Sequence, residues 1–157
     1  MFRSLAICTL LSLAAAPLQA AEAQAAATNP HFDAALAQQL GADAQGMRRY
    51  VLVVLKTGPK PMPKGPERDA MFKGHFANIN KLADAGQLAV AGPFMGGGEW
   101  RGLFVLAVPT VEEARALVET DPVVIEGEMV AEYHPLYSSA ALMQVPTLHR
   151  RLSPQVP

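Results

Sequence analysis

The apolar positions of the chain fall into short blocks whose spacing switches between strand and helix periods. Tyr50 to Lys56 (YVLVVLK) is a continuous apolar run of strand length, and it is read as strand one. Prolines at 59, 61, 63 and 66 follow, so Thr57 to Pro66 is neither helix nor central strand but a stiff, exposed loop. From about Glu67 to Ala85, the residues Phe72, Phe76, Ile79, Leu82 and Ala83 form a stripe at helical spacing that is expected to face the core. Gly86 ends this first helix. Leu88 to Phe94 is strand two, Met95 to Glu99 with Gly96-Gly97-Gly98 is a hairpin turn, and Arg101 to Val108 is strand three. Thr110-Val111-Glu112-Glu113 is a capping box that opens a second helix, which ends near Thr120 just before Asp121-Pro122. Glu128 to Tyr137 is strand four. Its alternation puts Glu128, Glu132 and His134 on a wet face and Met129, Ala131 and Tyr133 on a dry one, as on an edge strand.

The order β-α-β-β-α-β defines an α+β, ferredoxin-like unit. The expected strand order is 4-1-3-2, with both helices on one face. Strands one and three would then be central, and both are apolar on both sides. Two helices cover only one face, so the other needs a partner. A second copy of the chain is the simplest one, and a homodimer with sheets packed face to face is expected.

Upstream, Met1-Phe2-Arg3 gives a short positive start, and Leu5 to Ala16 is an apolar run too short to span a bilayer. Ala20 or Ala23 supplies the small residue for cleavage. Residues 1–20 are therefore expected to be a cleavable signal peptide, which makes the protein periplasmic or secreted. Residues 21–49 form a linker with a short helix that starts at Asn29-Pro30 and stops at Gly41. Its Phe32, Leu36 and Leu40 would dock it on the domain. The domain occupies 50–137, and 138–157 is a C-terminal tail. Cleavage removes Arg3 and leaves twelve basic against fourteen acidic residues, a net charge of −2. It also removes Cys8, the single cysteine, and with it all thiol and disulfide chemistry. No later apolar run is long enough to span, so no membrane association is expected after cleavage.

Composition narrows the function further. The chain is 50% hydrophobic and only 17% charged, too apolar for a disordered protein. Its 13 Lys+Arg against 14 Asp+Glu offer no basic excess for nucleic acid. One cysteine excludes a zinc finger or an iron–sulfur site. No His or carboxylate cluster has metal-ligand spacing, the triple glycine opens no helix and so is no phosphate loop, and there is no serine nucleophile elbow. Haem held by His75 alone is set aside for want of any other haem signal. No metal and no cofactor are expected.

Four histidines remain. His31 and His149 are expected to be solvated, and His134 to be a surface or dimer-contact residue. His75 lies three residues after Phe72 and four before Ile79, so it borders the stripe of the first helix. Such a histidine serves a core as readily as a reaction. Asp121 before Pro122 is by spacing either a turn cap or a functional carboxylate, and only the fold can bring it to His75.

These segments resemble the YciI-like (YCII-related) family of dimeric α+β barrel proteins. The match rests on His75-Phe76-Ala77-Asn78-Ile79-Asn80-Lys81-Leu82, on Ala85-Gly86-Gln87-Leu88-Ala89-Val90-Ala91-Gly92-Pro93, and on Glu113-Ala114-Arg115-Ala116 followed by Thr120-Asp121-Pro122-Val123. The resemblance covers about 50–137, with strand and helix order intact. The N-terminal helix and Tyr137 to Leu142 resemble those of an exported subgroup. The resemblance implies a His–Asp pair in a pocket as the active site, which carries over to His75 and Asp121. Phe72 stands where many members have arginine. A carboxylate that fixes one imidazole nitrogen leaves the other to move a substrate proton. That suits a small-molecule isomerase or a lyase eliminating HX. Lys56, at the end of strand one, is a weaker candidate to face an anionic substrate oxygen. The alternative is a non-catalytic protein of the same fold that binds a small ligand or a partner.

Overall fold

The structure is a computed structural model that describes residues 29–152 and 154. The expected signal peptide lies outside the described residues. The chain divides into two units, residues 1–33 and residues 34–157. In the first, the Asn29 side chain accepts the His31 amide at 3.0 Å, and the Phe32 amide donates to the Asn29 carbonyl at 3.1 Å. The expected helix start at Asn29-Pro30 is thus a turn, because the asparagine side chain closes on the amide two residues on. The helix, α1, spans Ala34–Leu40.

The second unit continues with β1 (Met47–Thr57), α2 (Pro66–Asp84), β2 (Leu88–Pro93), β3 (Trp100–Leu106), α3 (Val111–Val118), α4 (Pro122–Ile125) and β4 (Met129–Ser139). A 3-10 helix (Ala140–Gln144) and α5 (Val145–Leu152) complete it. The sheet is antiparallel in the order β2-β3-β1-β4, as the pattern predicts. Val53 on the central strand sits between Phe104 of β3 and Tyr133 of β4. Because side chains alternate, one parity of β1 faces the helices and the other faces away. Val51, Val53 and Leu55 pack with Phe104, Leu106, Met71, Leu82, Ala114, Val118 and Val123 in the main core.

The opposite face holds a smaller cluster of Tyr50, Ala89 and Val105, with Leu142 and Met143 of the 3-10 helix packed on it. The expected tail is therefore part of the fold. β4 runs on to Ser139, whose carbonyl accepts the Tyr50 hydroxyl at 2.9 Å, and the chain then turns across its own sheet. Cover expected from a second copy comes, at this end of the face, from the same chain. α1 packs on the 3-10 helix, and the Leu40 carbonyl accepts a hydrogen bond from Arg48 Nη1 at 2.9 Å. It buries no residue, and Leu36 stays 41% exposed, so the expected apolar docking stripe is not what holds it.

α2 keeps most of its expected face, with Phe72, Ile79, Leu82 and Ala83 packed on the core and Phe76 outside it. Its buried positions are Met71, His75, Asn78 and Leu82, while Phe76 is 59% exposed. These four share one face at spacings of four, three and four. Two polar side chains, His75 and Asn78, are buried beside the apolar stripe.

Glu128 also departs from expectation. It precedes β4 and is 1% exposed rather than on the wet face. Its carboxylate accepts the Met62 amide at 2.5 Å and Arg68 Nη2 at 2.9 Å, with Arg101 Nη2 3.7 Å away. This carboxylate ties the proline-rich loop and the start of α2 to the sheet. Burial pushes it up. The Met62 amide, Arg68 and Arg101 together outweigh that and hold it below the ordinary glutamate value of 4.5.

Candidate active site

The reason α2 buries two polar side chains lies across the helix layer. Thr110 caps α3 by accepting the Glu113 amide, and the chain leaves that helix into Asp121-Pro122. Proline at the first position of α4 and Asp121 as its N-cap set a short turn of helix, with the Val123 amide donating to Asp121 Oδ1 at 3.1 Å. Asp121 is fully buried, so its remaining lone pairs must be met from within the protein. α2 meets them. His75 Nδ1 lies 2.9 Å from both carboxylate oxygens, and Asn78 Nδ2 donates to Oδ2 at 3.3 Å. The approach is close because residue 74 has no side chain. A Cβ there would stand 3.0 Å from Pro122 Cγ. Gly74 thus lets α2 approach α4, and the next residue reaches the carboxylate.

The imidazole is set among rings. Phe72 meets it edge-on at 5.9 Å between centroids, Phe76 lies at 5.5 Å and Phe104 at 6.0 Å. Arg68 stacks over Phe72 at 4.5 Å, which puts a cation one aromatic ring from His75. All hydrogen bonds of His75 go through Nδ1. Among the described residues no fully buried side-chain nitrogen or oxygen lacks a partner. Nε2 has none and is therefore not sealed, and the side chain as a whole is 9% exposed. A carboxylate facing Nδ1 favours the tautomer with the proton there, leaving the Nε2 lone pair directed outward. An imidazole so arranged can accept or return a proton.

The structure thus brings His75 and Asp121 together across 46 positions of sequence. It does not bring Lys56 to them. Lys56 has the opposite parity to Leu55, which packs under the helices, so it points to the other face of the sheet. There it pairs with Glu99 at 2.7 Å and Glu132 at 3.5 Å. The Glu99 hydrogen bond is the main reason its ammonium is held above the ordinary lysine value. His134 is half exposed and lies 2.9 Å from Glu132. Two groups escaped the sequence reading. Asn78 is three residues after His75, on the same helix face, and that spacing was the available signal. The Arg68–Glu128 pair joins positions that nothing in the sequence links.

Two cavities lie elsewhere. One of about 730 Å³ is lined by Asp43, Arg48, Arg49, Tyr50, Leu136 and Tyr137 among others, and one of about 320 Å³ by residues that include Arg115 and Tyr133. Neither lining includes His75 or Asp121. Among the described residues no group of three or more His, Cys, Asp or Glu is placed to hold a metal ion. Nor, among them, is any helix long and apolar enough to cross a membrane.

A ferredoxin-like sheet with one helix layer, and a buried imidazole–carboxylate pair within that layer, define the class of this protein. Residues 49–135 match the model of the YCII-related domain, and the chain belongs to that family. Among solved structures, 5-chloro-2-hydroxyhydroquinone dehydrochlorinase from Burkholderia phenoliruptrix, in complex with 2,5-dihydroxybenzoquinone, is similar at 20% identity. The match covers 55% of this chain and 90% of that one, with a TM-score of 0.35. No protein of curated function matches the chain.

Proposed function

We propose that the protein is a small-molecule enzyme in which His75 moves a substrate proton through Nε2 while Asp121 holds the ring. The observation that carries this reading is the buried Nδ1–carboxylate contact at 2.9 Å with the other ring nitrogen unpartnered. The chemistry that fits is proton transfer at carbon or oxygen. His75 takes a proton and returns it elsewhere on the same molecule in an isomerisation, or takes it as a C–X bond breaks and X⁻ leaves, then gives that proton up, so that HX is lost overall. Export directed by residues 1–20 belongs to the same proposal. So does pairing of two copies through the part of the outer sheet face beyond the 3-10 helix, where Val130 is 42% exposed.

The test is turnover by the chain beginning at residue 21, on a panel of small acids, phenols and halogenated rings. His75→Ala should cost about 10²–10⁴-fold in kcat, the usual worth of a general acid or base. Full activity in that variant would end the proposal. Ligand binding that survives in the parent with no turnover on any compound would favour the non-catalytic alternative. Light scattering at the monomer mass would remove the dimer from it.

A further inference from the structure

We propose that Asn78 is a positioning residue that sets the plane of the Asp121 carboxylate and, through it, the orientation of the His75 ring. The inference rests on the His75–Asp121 reading above and goes beyond it. Asn78 is 9% exposed, in the middle of a helix, where an apolar residue would pack at no cost in desolvation. Its side chain is held at both ends. Nδ2 donates to Asp121 Oδ2 at 3.3 Å, and Oδ1 lies 3.4 Å from Thr120 Oγ1, whose one proton is shared with the Leu117 carbonyl at 2.7 Å. The carboxylate settles which end of the amide faces it, since it can only accept and only the NH2 end can donate.

The carboxylate needs such a constraint. Nδ1 of His75 is equidistant from the two oxygens, so the imidazole contact by itself favours neither oxygen. The Val123 amide holds Oδ1, and the Asn78 amide holds Oδ2. One donor on each oxygen stops the group from turning about its Cβ–Cγ bond. With the carboxylate plane fixed, the imidazole that shares both oxygens is fixed too, and Nε2 points in one direction. Without Asn78, Oδ2 keeps only the histidine, and carboxylate and ring can turn together. The same three donors spread the charge of a carboxylate that has no water to do so.

The experiment is proton and nitrogen NMR of the full mature chain labelled with ¹⁵N-histidine, read at the downfield Nδ1–H resonance of His75. Asn78→Leu keeps the branched shape at a larger volume and removes the donor, Asn78→Ser is a smaller replacement in case the leucine variant does not fold, and Asp121→Asn is the reference. In both Asn78 variants the resonance should shift, and exchange of its proton with water should quicken by about tenfold, the equivalent of about 1.4 kcal/mol. An unchanged resonance and exchange rate in a folded Asn78 variant, with only the unfolding temperature altered, would make Asn78 a packing residue and overturn the proposal. A parent resonance that Asp121→Asn also leaves unmoved would strike at the His75–Asp121 pair itself, a different failure with a different signature.

Discussion

Replacing Asp121 by alanine should be among the most damaging single changes in the molecule, and its cost can be worked from the contacts. Three donors converge on the carboxylate: Val123 N–H, Asn78 Nδ2 and His75 Nδ1. Loss of the N-cap alone is worth about 1 kcal/mol. Val123 is fully buried, so water does not readily replace the cap. A buried donor left unmet costs about 1–3 kcal/mol, which applies to the Asn78 amide. His75 escapes most of its share by moving its proton to Nε2. The total is about 2–4 kcal/mol, against a typical domain stability of about 5–15 kcal/mol. Urea unfolding at pH 7 measures it as a fall in midpoint at constant slope. Asp121→Asn keeps the shape and one acceptor oxygen and should lose roughly half as much. The cycle with His75→Ala should then show a coupling of about 1–2 kcal/mol, as expected of residues in contact. A loss below about 1 kcal/mol for Asp121→Ala, or strict additivity in the cycle, would refute the account of this site as one mutually satisfied cluster.

Other outcomes follow from the same packing. Gly74→Ala gains about 1 kcal/mol of helix propensity, but its Cβ would press on Pro122 Cγ at 3.0 Å, so the variant should be no more stable than the parent in thermal unfolding and slower in turnover. A clear rise in Tm would show that α2 does not need the close approach. Glu128 has its carboxyl held below 4.5 in the folded chain, so its contribution to stability is complete above 4.5 and is lost as pH falls through the folded value. Glu128→Gln should be less stable than the parent at pH 7, with the difference shrinking below pH 4.5 in urea titrations. A gap that is constant with pH would exclude the carboxylate as its source.

Much of the architecture was legible because it is written in local chemistry. Strand alternation, four prolines between Thr57 and Pro66, Gly86 after α2 and the Thr110 cap are each decided within a few residues. Their succession allows few topologies, and the strand order came out as expected. The pairing of His75 with Asp121 was legible only through family resemblance, since no local rule joins positions so far apart. What the pattern could not decide was which way each element faces. The stripe of α2 packs on the core through Phe72, Ile79, Leu82 and Ala83, yet the helix also buries His75 and Asn78 and leaves Phe76 exposed. A stripe records average hydrophobicity, whereas the orientation is settled by what lies opposite, and opposite α2 lies a sealed carboxylate that only polar side chains can satisfy. Glu128 read as a wet-face residue because the Arg68 and Met62 amide that neutralise its burial come from a distant segment. Lys56 was known to oppose Leu55 by parity, but only the assembled layers show which parity the helices cover. Residues 138–157 read only as a tail because the apolar Leu142 and Met143 show their use only once a sheet face stands beside them. Sequence alone determined the four strands, the two helices between them and their order, since backbone preferences act over a few residues. The tertiary structure decided the faces and the site, since burying a charge depends on partners that the chain brings from far away.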